Sequence, residues 1–173
     1  MSFDPEFHDR RSIRLPDFDY GQPGIYYVTL CAKNRACLFG DVISGEMRLS
    51  EIGRIVEDEW LKTPALRPQA TLDRHVVMPN HLHGVIIIRE RRGELPFAPM
   101  LPASRAPKPR SFRSPSQTLG AIVRGFKGSS AKRINAARNT PGGAVWQRNY
   151  YEHIVRSESE LNRIRDYIRN NPP

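Results

Sequence analysis

The sequence predicts an α+β sandwich, with one antiparallel sheet and helices packed on one face. Three observations lead there. Two short β-branched runs, Val76 to Met78 and Val85 to Ile88, flank Pro79-Asn80 and read as buried strands joined by a tight turn. Capped segments with apolar residues at helical spacing stand between and after the strand-like runs. No Gly-rich phosphate loop and no internal repeat breaks the order, which reads β, small hairpin, α, β, β, α, α.

Residues 1–22 form an arm rich in charges and turn formers, and residues 23–173 a single domain. Ile25 to Cys31 is a strand by its β-branched and aromatic content, followed by a loop over Asn34 to Gly40. Val42-Ile43 and Met47 to Leu49 flank Ser44-Gly45 as a short hairpin. Ser50 suits an N-cap, and Ile52, Ile55, Val56 and Trp60 then follow a helical stripe that ends at Thr63-Pro64. Thr71 to Met78 and His83 to Ile88 are the central strand pair. Residues 89–115 hold six of the fifteen prolines and seven Lys or Arg against two Glu, a basic Pro-rich loop. In Gln117 to Arg138, Leu119, Ile122, Val123, Phe126 and Ile134 form one helix face, with Arg124, Lys127, Lys132 and Arg138 on the other. Gly125 and Gly128 in that helix permit close backbone approach. Val145 to Tyr151 is aromatic and basic. Ser157 to Glu160 is a capping box, and Leu161, Ile164 and Ile168 form the stripe of a last helix.

The chain has 173 residues, 39% of them hydrophobic, which is enough for a core. The longest apolar run is too short to span a bilayer, the N-terminus is polar, and two cysteines are too few for a disulfide framework, so a soluble cytoplasmic protein is expected. The net charge of +9 is segregated. From Leu95 to Tyr151 there are ten Lys or Arg, Arg148 among them, and no Asp or Glu. A field of one sign confined to a third of the chain implies a polyanionic partner.

His81 and His83 open the second central strand. Side chains alternate along a strand, so both imidazoles share one face and Leu82 takes the other. The pair is a two-toothed clamp for a divalent metal, or else a polar sheet face. Tyr167 lies on the last helix beside its apolar stripe, with Asn171 four residues on and on the same side. These parts suit attack on a phosphodiester. A metal polarises a non-bridging oxygen, tyrosine supplies a covalent nucleophile, and Asn171 offers an amide oxygen to the metal. Mixed nitrogen and oxygen ligands suit Mg²⁺ or Mn²⁺. Tyr150 and Tyr151 are rival nucleophiles by chemistry. His153 reads as structural, and His75 as a partly buried strand residue on the alternation of His81 if no bulge intervenes.

Pro79-Asn-His-Leu-His83 resembles the His-hydrophobic-His motif of the single-tyrosine HUH transposases. Val145-Trp-Gln-Arg-Asn-Tyr-Tyr-Glu-His-Ile-Val-Arg156 and Asp166-Tyr-Ile-Arg-Asn-Asn-Pro172 resemble the branch called REP-associated tyrosine transposases, as do Arg11-Ser-Ile-Arg-Leu-Pro16 and Leu119 to Lys127. The resemblance runs from about Arg10 to the C-terminus, with several motifs in order. It implies a ferredoxin-like sandwich, His81, His83 and Asn171 as metal ligands, and Tyr167 as the nucleophile that forms a 5′-phosphotyrosine and frees a 3′-OH. It also implies single-stranded or hairpin DNA, often REP-like palindromes, as substrate. Arg124, Lys127, Lys132, Arg138 and Arg148 are the expected DNA contacts. Related insertion-sequence enzymes work as dimers and REP-associated members as monomers, so both states stay open, and the setting is the bacterial cytoplasm near the nucleoid.

Two other readings compete. A histidine-triad phosphate hydrolase needs a third His where Val85 stands, which empties its nucleophile position. A catalytically inactive, domesticated hairpin-binding protein keeps the DNA affinity without the chemistry.

Overall fold

The computed structural model describes residues 22–89 and 118–172. The expected arm, up to residue 21, and the basic Pro-rich loop, from residue 90, lie outside the described residues. The elements are β1 (Gly24–Cys31), β2 (Gly40–Ile43), β3 (Glu46–Leu49), α1 (Glu51–Leu61), α2 (Thr63–Leu66), β4 (Ala70–Met78), β5 (His81–Ile88), α3 (Leu119–Ala137), β6 (Tyr151–Val155) and α4 (Glu158–Arg169). Four strands form one antiparallel sheet in the order β4-β5-β1-β6, and β2 pairs with β3 in a separate hairpin. The path β1-α1-β4-β5-α3-β6 is the split β-α-β arrangement of a ferredoxin-like sandwich. Among the described residues, no helix is long and apolar enough to cross a membrane.

The caps explain where the helices begin. Ser50, Thr118 and Ser157 each accept a hydrogen bond from the backbone N–H three residues on, at Gly53, Ala121 and Glu160. Glu160 reaches back to the N–H of Arg156, one residue before the cap, and not to that of Ser157, so the expected box is shifted by one residue. Gly128 in α3 faces open space, and no close approach requires it. Gly84 in β5 is different, because an added Cβ would stand 2.3 Å from the Trp60 ring.

Alternation divides the sheet into two faces. Tyr26, Val28, Leu30, Leu82, Ile86 and Ile88 pack under α1 and α3, with Trp60, Ile122, Phe126 and Ile134. Those two helices form the expected layer. Helix α4 adds a second layer on the opposite face, where Leu161, Ile168 and Ile164 meet Ile25, Val85, Val155 and Ile87. Strand β6 was not among the expected elements. It completes the sheet at the β1 edge and leads directly into α4. The pairing also corrects the reading of His75. The two-residue Pro79-Asn80 turn pairs Met78 with His81, and His75 with Gly84. His75 therefore sits beside Trp60 on the face away from His81 and His83. A bulge between Leu72 and His75 turns Asp73 toward α4.

Candidate active site

His81 and His83 stand on β5 on the α4 face of the sheet, as alternation requires. Their Nε2 atoms converge to 3.0 Å. That separation is what two imidazoles need to share one ion at bond lengths of about 2.0–2.1 Å with an angle near a right angle. The outer nitrogens are occupied. His81 Nδ1 donates to Asn80 Oδ1 at 2.7 Å, and Asn80 Nδ2 in turn donates to the Arg35 carbonyl at 3.3 Å, which fixes the amide's orientation. His83 Nδ1 meets the Tyr27 hydroxyl at 2.7 Å and Thr29 Oγ1 at 2.9 Å. Hydroxyls donate or accept, so these two can accept from His83 Nδ1–H, the tautomer that turns the Nε2 lone pair toward a metal.

Electrostatics favour the neutral rings that a metal requires. Burial pushes His83 down to about 4, with the neighbouring His81 adding to the effect. Burial also lowers His81, and the positive charge of Arg35 lowers it further. Protons therefore compete with a metal less than at an ordinary imidazole, and affinity falls only as the pH drops through these lowered values. Titration calorimetry with Mn²⁺ is expected to give affinities within about threefold at pH 8 and pH 6, where two unperturbed imidazoles would lose about tenfold. A tenfold loss over that interval would contradict the assignment of buried, neutral ligands.

Tyr167 reaches the pair from α4. Its hydroxyl lies 3.4 Å from His83 Nε2, the rings meet edge to face at 5.3 Å, and 52% of the residue stays exposed. The ring is thus open to a large substrate while its oxygen sits over the clamp. Asn171 donates its amide N–H to the Tyr167 carbonyl at 2.8 Å, which closes the helix end. Its amide oxygen accepts no hydrogen bond among the described residues. Two contacts seat α4. Arg165, two residues before Tyr167, grips Asp73 through Nε at 3.0 Å and through Nη2. This bidentate pair holds the Asp73 carboxyl below its usual range. At the other end, His153 on β6 meets Glu160 at 2.7 Å, which ties β6 to the start of α4.

The rival tyrosines separate by position. Tyr150 packs against the α1–α3 core under the Lys127 ammonium. Tyr27 is on the site face, but burial raises its phenol to about 12 and keeps it protonated. Tyr151 is exposed on the site face, edge-on to Tyr27 with centroids 6.3 Å apart.

The basic residues part company. Arg124, Lys132 and Arg138 are exposed on α3 or at its C-cap, on the layer away from Tyr167. Lys127 turns inward, donating to the carbonyls of Gln147 and Asn149 at 2.9 and 3.1 Å, and burial lowers its ammonium to about 8. It braces the segment before β6, so its ammonium is already engaged within the fold. Arg148 is exposed on that segment. Among the described residues, no group of three or more His, Cys, Asp or Glu could hold a metal. From the described residues, an ion at the His pair would have amide oxygen, with water or substrate, for its remaining ligands. Sequence reasoning missed Tyr27 and Thr29 behind His83, and the only signal for them was their alternation on β1.

Comparison with known proteins bears on this arrangement. An uncharacterized protein of Haemophilus influenzae (strain ATCC 51907 / DSM 11121 / KW20 / Rd) is 43% identical over 166 residues, covering 95% of this chain and 89% of that protein. Residues 112–171 match the family described as "Transposase IS200 like". The chain belongs to the IS200-like transposase family. The matched segment contains Tyr167 and Asn171, and the His pair of this transposase relative precedes it. A solved structure of a REP-associated tyrosine transposase bound to a REP hairpin is 18% identical, with a TM-score of 0.56, covering 92% of this chain and 72% of that one. At that identity the likeness is one of fold, and it agrees with the sandwich described above.

Proposed function

We propose that this IS200-like protein cleaves and rejoins single-stranded or hairpin DNA through a 5′-phosphotyrosine on Tyr167. The observation that carries the reading is the convergence on one sheet face of the His81 and His83 Nε2 atoms, 3.0 Å apart, with the Tyr167 hydroxyl 3.4 Å from the second. His81, His83 and the amide oxygen of Asn171 would hold Mg²⁺ or Mn²⁺, with water at the open positions. When bound, that ion withdraws charge from a non-bridging phosphate oxygen and so makes phosphorus easier to attack.

The chain's own groups do the rest. Tyr167 attacks phosphorus, the bond to the 3′-oxygen breaks, the phenol proton is released and the departing oxygen takes one up as a free 3′-OH. The phosphotyrosine keeps the energy of the broken phosphodiester, so the reverse attack by a 3′-OH rejoins a strand without ATP. The Arg165–Asp73 pair and the Asn171 cap hold the last turn of α4, which keeps the phenol over the clamp. The hairpin bound by the structural neighbour, and the segregated positive charge here, support a REP-like palindrome as substrate. Residues 23–173 act as one catalytic domain in this reading, with the basic loop of residues 89–115 as an insertion within it.

The test is a covalent trap. Incubation with labelled single-stranded hairpin DNA and Mn²⁺ is expected to give a slow band on a denaturing gel, and EDTA to remove it. Tight binding of the same hairpins with no adduct would overturn the reading in favour of a binding protein without strand-cleaving activity.

A further inference from the structure

The α3 cations lie on the layer opposite Tyr167, so they cannot neutralise the phosphate at the His pair. The end of the sheet at His81 carries a different set. Cys31 pairs with His81, and the chain then makes the tight turn Lys33–Arg35. The segment before β6 is bonded to that turn, through Lys33 N–H to the Val145 carbonyl at 2.7 Å and Gln147 N–H to the Cys31 carbonyl at 2.9 Å. Lys33, Arg35 and Arg148 are all exposed here. Among the described residues none of the three has a carboxylate partner, whereas Arg133, Arg165 and Arg169 are each paired.

Arg35 is tied to the clamp through its backbone, because its carbonyl accepts from Asn80, the residue that orients the His81 ring. Asn34 and Arg35 both hold left-handed backbone, φ 56° and 53°, a conformation that non-glycine residues adopt at a cost. No described carboxylate contacts either imidazole, so no acidic side chain among the described residues repels a phosphate there. The C-terminal end of α4, which carries Tyr167, points a partial negative charge toward the same region, so a phosphate bound there needs nearby cations.

We infer that Arg35 contacts the backbone phosphate next to His81, and that with Lys33 and Arg148 it forms the rim over which a single strand enters the site. This rests on the proposed DNA-cleaving function for the nature of the ligand and adds its path. Four of the five expected DNA contacts stand on the long helix or at its end; for the strand being cut, the fifth, Arg148, stays, and Lys33 and Arg35 join it from the turn between β1 and β2.

The experiment follows the binding of a fluorescein-labelled single-stranded oligonucleotide by anisotropy across a salt series, in EDTA. Each phosphate contact removed lowers the slope of log affinity against log salt by about 0.7 for a single strand. Arg35→Ala is expected to lower it by about that much, and the triple variant Lys33→Ala/Arg35→Ala/Arg148→Ala by about 2. Arg48→Ala, an equal charge change on β3, is expected to leave the slope unchanged. Arg35→Gly keeps the left-handed turn without strain and guards against misfolding, so it should reproduce the Arg35→Ala slope. At saturating DNA with Mn²⁺, Arg35→Ala is expected to slow single-turnover cleavage more than tenfold, with Arg35→Lys restoring part of it.

An unchanged slope in Arg35→Ala and Arg35→Gly, an equal fall in Arg48→Ala, or no binding by the unsubstituted chain would each overturn the inference. The binding arm uses no chemistry, so the two readings fail separately. A lowered slope in a protein that cleaves nothing would leave the strand path standing and overturn the transesterase. An unchanged slope in a protein that cleaves would do the reverse.

Discussion

Tyr167→Phe is expected to abolish the covalent protein–DNA adduct and to slow metal-dependent strand cleavage by at least about a thousandfold, because removing a nucleophile leaves only the residual effects of binding and charge. The change deletes one oxygen. Among the described residues, that oxygen's one hydrogen-bond contact is the 3.4 Å approach to His83, and the ring is about half exposed, so neither folding nor packing should suffer. Thermal midpoint and hairpin affinity in EDTA are therefore expected to match those of the unsubstituted chain. Cleavage that survives in Tyr167→Phe would move the nucleophile elsewhere, and Tyr151 is the other exposed tyrosine on that face.

His81→Ala carries the second large effect. It removes one of the two converging nitrogens, so Mn²⁺ affinity measured by calorimetry should fall by at least about a hundredfold, more than the loss seen when only an outer partner of a ligand is altered. Adduct formation should fall with it. His81 is half-buried and its outer partner is Asn80, so this site is safer to change than His83, whose loss would strand the Tyr27 and Thr29 hydroxyls behind it. DNA binding in EDTA should persist. Unchanged Mn²⁺ affinity in His81→Ala would dismiss the clamp and leave the pair as a polar sheet face.

The sequence made some of this legible and hid the rest for identifiable reasons. The shared face of His81 and His83 follows from the two-residue period of a strand, which depends on no tertiary contact. The α4 stripe of Leu161, Ile164 and Ile168 announced an apolar helix face, but a stripe does not say which side of a sheet it will cover. Strand β6 escaped because Tyr151-Glu-His-Ile-Val155 interleaves charged with apolar residues and is set by its pairing with β1. His75 went to the wrong face because the two-residue turn resets the alternation, which counting along the chain does not register. Lys127 read as a surface cation since it flanks the stripe, yet its ammonium is held by two carbonyls some twenty residues away. Arg35 showed no sign at all. Its place at the site depends on Asn80, 45 residues further along the chain.

The account turns on which oxygen becomes bonded to DNA. Trapping the adduct with Mn²⁺ and a single-stranded hairpin, digesting both polymers and mapping the nucleotide mass by tandem mass spectrometry answers that directly. The prediction is a 5′-phosphonucleotide on the phenol oxygen of Tyr167. The same mass on Tyr151 or Tyr27, or an adduct on no tyrosine at all, would contradict it.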